Sequence, residues 1–419
     1  MRAWTRAALG AVVLVAAACT GSNSENTQTP VVDEVRIGVL APLTGANRVA
    51  GQDALRGAQL AAALVNGEEG PVPLLGVTDA GLRGLGGPKI AIVPADTGSD
   101  PSTSPARGAA QAANLVTQER VVGLVGAYDA EVTAAASQRT ERLGVPFVNG
   151  DTSTGYLTER GLDWFFRTGP TDRMFGEAFF STLKQEKVRP KRISILYTTD
   201  APGEGLHRVL HNLAPEADYD EHGMVKFTPG KPNLVPELTT LRDEKDPEVL
   251  FLVTSKGSDA VRALETMGSM GYRPPEIFAF GGGFSEPQVL QSAGAAGEGL
   301  FYSSAWSREV AARNPSAKPI MDRYEGRFGA AMSEVAAGSF TAVLTLAAAI
   351  DAAGSVDPTR VRAALIGLDL PGRSTIMPWS GVRFDTSHQN ARAAGLVEQV
   401  VQGGFRVVFP NELAQAQAA

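Results

Sequence analysis

The chain has 419 residues, 43% of them hydrophobic and 20% charged, enough for two or three domains with buried cores at roughly 150 residues each. Its 38 Lys and Arg against 45 Asp and Glu give a net charge of −7. No basic block interrupts the sequence, which argues against a nucleic-acid partner because phosphate binding needs gathered cations. The single cysteine, Cys19, excludes an intramolecular disulfide and a cysteine-based metal cluster.

The first residues read as an export signal. Arg2 and Arg6 precede the apolar run AALGAVVLVAAA (7–18), which has signal-peptide length and is too short for an ordinary membrane span. Ala16, Ala17 and Ala18 lead into Cys19. This is similar to a bacterial lipoprotein signal, in which the cysteine receives lipid and becomes the mature N-terminus, although Ala16 stands where leucine is usual. Residues 1–18 are expected to be the signal peptide. TGSNSENTQTP (20–30) is too polar to fold and belongs to a flexible tether over 19–33. Two acyl chains on Cys19 would hold the folded body at the outer face of the cell membrane, in the periplasm if the envelope has two membranes. The later apolar stretch 340–354 is short and interrupted by Asp351, so it is not expected to span a bilayer.

The body begins with a β-branched strand in EVRIGVLAPLTG (34–45), followed by helical spacing through Leu55, Leu60 and Leu64 over 52–66. The alternation continues with strand KIAIVP (89–94), a helix over 104–118, strand VVGLVG (121–126), a helix over 131–143 and strand VPFVNG (145–150). Residues 74–87 read as a surface loop or hairpin. A second series runs from strand RISILY (192–197) through a helix over 202–214, strand EVLFLV (248–253), a helix over 258–270 and strand IFAF (277–280). Short apolar strands alternating with amphipathic helices predict α/β units built on parallel sheets covered on both faces. Ligands of such sheets lie beyond the carboxyl ends of the strands. The loops 41–51, 126–131, 149–155, 198–203, 254–258 and 281–286 are therefore the places to seek function.

RIGVLAPLTGANRVAGQDALRGAQLAAALVN opens the body, followed in order by DTGSDPSTSPARGAAQAANLV (96–116), VVGLVGAYDAEVTAAA (121–136) and LTERGLDWFFRTGPTD (157–172). This ordered set resembles the branched-chain amino-acid type of solute-binding proteins of ABC importers, from about residue 34 to 409. The resemblance implies a type I periplasmic-binding-protein fold: two doubly wound parallel-sheet lobes joined by three hinge crossings, near 167–171, 302–306 and 383–387. It places 34–168 and 306–384 in the N-terminal lobe and 169–305 and 385–412 in the C-terminal lobe, with 392–410 as a final strand. It further implies a monomer that captures a small polar solute by hinge closure and delivers it to ABC permease subunits. No catalysis, cofactor or metal is expected. A ligand-sensing receptor on the same scaffold is the alternative.

Family members hold an amino acid's carboxylate with a serine and the helix amides of the loop that here reads GAYDAEVT (126–133), where Ala130 replaces the serine. Asp129 there either meets a polar or cationic part of the ligand or simply caps the helix. In NGDTSTG (149–155), Asp151, Thr152 and Ser153 are candidate contacts, with Ser153 near a family hydroxyl position. Ala50 replaces a first-loop aromatic, APGEG (201–205) lacks a usual tyrosine, Lys256 stands at an aromatic position, and Gly282 stands where an acid pairs with the α-ammonium. Tyr128 and Phe284 could line the apolar part of a ligand. With each end of a zwitterion deprived of its usual partner, leucine, isoleucine and valine are not expected to bind in the family manner.

Three other signals carry less. His207 and His211 are four apart on a helix, a spacing that can hold a metal, but no acidic third ligand is evident in sequence. The run Asp96-Thr97-Gly98-Ser99 resembles an aspartic-protease signature. It covers four residues and fits a strand-to-helix turn. A hydrolase would also need a second carboxylate in a matching loop, and DTSTG (151–155) lacks the order.

Overall fold

A computed structural model describes residues 33–414, apart from 71, 73–79, 186–189, 191, 282, 283, 285 and 286. The signal, Cys19, all but the last residue of the tether, Gly282 and residues 74–79 of the expected 74–87 loop lie outside the described residues. The first series is β1 (Glu34–Ala41), α1 (Arg48–Val65), β2 (Lys89–Asp96), α2 (Ser104–Thr117), β3 (Gly123–Val125), α3 (Ala130–Leu143), β4 (Phe147–Asn149), the single turn α4 (Tyr156–Glu159) and β5 (Phe165–Arg167). The second runs α5 (Asp172–Lys184), β6 (Ile193–Thr198), α6 (Ala201–Glu216), β7 (Glu221–Phe227), α7 (Val235–Thr240), β8 (Val249–Thr254), α8 (Gly257–Ser269), β9 (Glu276–Gly281), α9 (Pro287–Ala293) and β10 (Phe301–Ser304). There follow α10 (Arg308–Arg313), α11 (Lys318–Phe328), α12 (Glu334–Ala353), α13 (Pro358–Ile366), the small pair β11 (Asp369–Pro371) and β12 (Gly381–Arg383), and finally β13 (Leu396–Val401) and β14 (Gly404–Phe409).

β1–β5 form a wholly parallel sheet in the order β2-β1-β3-β4-β5. In the second sheet the parallel strands run β7-β6-β8-β9-β10. Both sheets thus share one winding, with the order reversing between the first and third strands of each, and that reversal opens a crevice at the strands' carboxyl ends. The stretch 392–410, expected as a single strand, is instead an antiparallel hairpin of β13 and β14 added beside β10. Its two-residue turn, Gln402-Gly403, has φ of 53° and 72°, the double left-handed conformation that tight hairpins require. The second sheet is therefore mixed.

The chain passes between the two α/β bodies three times. It leaves β5 for α5, returns after β10 so that α12 packs on α1, and leaves β12 for β13. Among the described residues α12 is the one helix long and apolar enough to cross a membrane, with mean hydropathy 1.7, but it is mostly buried inside the protein. A helix apolar on all sides suits a core position. Two glycines let backbones meet there: a Cβ on Gly57 of α1 would fall 2.1 Å from the Ala336 carbonyl oxygen, and one on Gly150 would fall 2.3 Å from that of Gly338.

Candidate functional site

At the end of β2, Asp96 ties down the loop after β1. Its Oδ1 accepts from the amides of Leu43 (2.9 Å), Thr44 (3.2 Å) and Gly98 (2.9 Å). Its Oδ2 accepts from the Thr44 hydroxyl and Arg107 Nη2, both at 2.6 Å. Partial burial alone would raise its pKa, but the Thr44, Gly98 and Leu43 hydrogen bonds and the Arg107 charge hold it below the usual carboxylate value. Every one of these contacts is structural, so the protease-like run is a loop clamp.

The next two loops are bound to each other. Asn149 Nδ2 donates to the Gly126 carbonyl at 2.7 Å, and the Thr152 hydroxyl donates to the Tyr128 carbonyl at 2.9 Å. Tyr128 is held at φ 78°, a left-handed conformation costing about 1–3 kcal/mol for a non-glycine residue. Beneath them Arg167, fully buried, donates to Gln389 Oε1 (2.6 Å), to the carbonyls of Thr152 (3.3 Å) and Thr154 (2.7 Å) and to the Thr158 hydroxyl (2.8 Å). Burial lowers its pKa to about 10, against the opposing charges of Asp172 and Glu159. Its hydrogen bonds hold the 152–158 loop to the strand end and to Gln389, just before β13.

These loops open on a cavity of about 720 Å³, the size of a small-molecule site. Its walls come from both bodies: residues 128–131, 150–154, 156 and, from α12, 334–335 on the first; 201, 202, 204–206, 208, 254–255 and 279–281 on the second; and 169, 170, 172, 175, 303 and 305 at or beside the first two connections. Of the residues expected from sequence, Tyr128, Asp129, Ala130, Asp151, Thr152, Ser153 and Phe284 line it. Lys256 does not. It stands exposed at the N-cap of α8, outside the lining, where its amine stays solvated. Phe284 is also part of the second body's core.

Asp129 occupies the N-cap position of α3 without making a side-chain cap; its Oδ1 accepts from Asn47 Nδ2 at 3.3 Å. Burial raises its pKa, the Asn47 amide opposes this, and the Glu131 charge adds to it. Asp172 is likewise raised by burial and steadied by the Ser153 hydroxyl and Arg167. Asp151 has no such help: both carboxylate oxygens are buried without a hydrogen-bond partner, and burial pushes its pKa to about 7. Glu334, in the first turn of α12, was not signalled by the sequence. Burial raises it to about 8, a hydrogen bond from the Ala305 amide opposes the rise, and the charges of Glu398 and Asp151 reinforce it.

Away from the cavity, the structure supplies the acid that the two histidines lacked in sequence. Glu221 of β7 places Oε2 3.0 Å from His211 Nδ1, and the ligand atoms of His207, His211 and Glu221 lie within 4.8 Å of one another. His207 also stacks on Tyr197 with ring centres 4.2 Å apart.

A family model described as periplasmic binding protein matches residues 34–404. The chain belongs to the periplasmic binding protein family. This bacterial family is extracytoplasmic and binds solutes rather than transforming them, which agrees with the structural role of Asp96. Leu/Ile/Val-binding protein homolog 7 of Brucella abortus is 24% identical over 400 residues, spanning 92% of this chain and 94% of its own. Among solved family structures, the isoleucine complex of the branched-chain amino acid transporter substrate-binding protein of Streptococcus pneumoniae is similar. It gives a TM-score of 0.70 at 22% identity, covering 90% of this chain and 99% of that one. A solute-binding protein of an R. palustris ABC transporter, solved with benzoate, gives 0.68 at 17% identity over 90% and 95%. These likenesses establish a fold of two lobes.

Proposed function

We propose that the protein is an extracytoplasmic lipoprotein that captures a small polar solute between its two lobes and delivers it to the permease of an ABC transporter. The observation that carries this reading is a cavity shared by the carboxyl-end loops of both sheets. A ligand held by both walls favours the closed arrangement by its extra contacts there, and three chain connections are the natural hinge. The lobes are 34–168 with 306–384, and 169–305 with 385–412, acting as one monomer. Cys19 is the lipid attachment point, freed by removal of residues 1–18. Titrating solutes into the purified body over residues 33–414 tests capture: a bound solute raises the melting temperature and reduces the radius of gyration in solution scattering. Detergent phase partition of the full chain tests the anchor, with Cys19→Ala expected to move the protein to the aqueous phase. Saturable solute binding without compaction would remove the closure step from this reading.

A further inference from the structure

The cleft is unevenly charged. Among the described lining residues, Asp129, Glu131, Asp151, Asp172, Glu204 and Glu334 stand against one guanidinium, that of the exposed Arg208. Asp129 and Asp172 have protein partners. Asp151 has none: both oxygens are buried and neither accepts a hydrogen bond, and Glu334 Oε2 is in the same condition. A carboxylate offers about four acceptor sites, and an ionised one left dry and unpaired is strongly disfavoured. Native proteins keep such groups chiefly where something else supplies the donors. The backbone is shaped around this acid, since a Cβ on Gly338 of α12 would fall 2.9 Å from Asp151 Oδ1.

We propose that the cleft binds a small organic cation, an ammonium- or guanidinium-bearing solute without a carboxylate, whose N–H groups fill the acceptor sites of Asp151 and Glu334. This rests on the solute-capture reading above. A cation supplies both the missing charge and the missing donors, whereas an amino acid brings a carboxylate as well. No cation among the described lining residues is buried to meet that carboxylate: Arg208 is exposed and Lys256 lies outside the wall. The α3 amides that could receive an anion are flanked by Asp129 and Glu131. Tyr128, Leu206, Phe280, Phe284 and Met377 give the remaining wall an apolar surface for methylene groups.

Calorimetric titration with matched probes tests this: putrescine, agmatine and 3-methylbutylamine as cations, 4-methylpentanoate as the anion, 4-methylpentanamide as the neutral solute, and leucine carrying both charges. At least one cation is expected to bind about tenfold or more tighter than leucine, the anion or the amide. Asp151→Asn, and separately Glu334→Gln, should each weaken that cation about tenfold or more. The unliganded melting temperature of Asp151→Asn, expected to be unchanged or higher, verifies that the variant folds. Tighter binding of leucine, the anion or the amide overturns the cation assignment while leaving solute capture standing. A cation whose affinity is indifferent to both substitutions overturns it too. Failure of every probe class, in binding and in compaction, overturns both readings.

Discussion

Asp151 and Glu334 make the unliganded protein sensitive to pH in a direction opposite to most carboxylates. Their folded-state pKa values, about 7 and about 8, lie above the ordinary carboxylate range. The folded state therefore holds more protons than the unfolded chain between about pH 4 and pH 8, and their contribution to stability falls as pH rises through that window. The melting temperature of the ligand-free body should decline from pH 5 to pH 8 more steeply than that of an Asp151→Asn, Glu334→Gln double variant. Asp96 works the other way. Its pKa is lowered by Thr44, Gly98, Arg107 and Leu43, so its contribution is present above the usual carboxylate pKa and is lost as pH falls below it. Asp96→Ala removes five hydrogen bonds, three of them from the loop after β1, and is expected to cost about 2–3 kcal/mol in denaturant titration.

At the scale of elements, α12 packs against α1 in the first body. This contact depends on Gly57 meeting the Ala336 carbonyl. Gly57→Ala forces the helices apart and should destabilise the protein by about 1–3 kcal/mol by urea unfolding. The 152–158 loop depends similarly on Arg167. Arg167→Met leaves buried carbonyls without donors and should weaken solute binding as well as stability, because it frees the segment that presents Asp151. Helix and strand periods were largely legible: β6, β8 and β9 are dominated by apolar residues, and the helices after β6 and β8 begin within one residue of the expected positions. β7 was not legible. Its residues Glu221–Phe227 alternate between half-buried and exposed, as on a sheet edge, and carry none of the continuous apolar character that marks a central strand. The paired strands β13 and β14 read as one segment because the turn between them has only two residues.

For the molecule as a whole, function lies in the shared winding of two sheets and the three connections between them. Binding across the cleft couples solute contacts to the relative position of the lobes, so a cysteine pair introduced across the mouth, such as Glu131→Cys with Arg208→Cys, offers a direct reading of closure. Spin labels or fluorophores on this pair should report a shorter mean distance with solute than without it, and a distance unmoved by saturating solute would contradict capture by closure.

The sequence by itself determined the alternation of strands and helices, most of the strand-end loops that line the cavity, and part of its wall: Tyr128, Asp129, Ala130, Asp151, Thr152, Ser153 and Phe284 all follow from strand ends. That much is local, since burial on a given face is written in residue spacing. Only the tertiary structure decided which charges meet. Glu334 sits in a helix turn far along the chain from Asp151, with Ser333 capping that helix through the Ala336 amide, and nothing in its own segment distinguishes it from a solvated N-terminal acid. Packing α12 against the first body buries it beside Asp151, and burial, rather than residue type, is what leaves both oxygens of Asp151 and Oε2 of Glu334 as unpaired acceptors in residues that line the cavity.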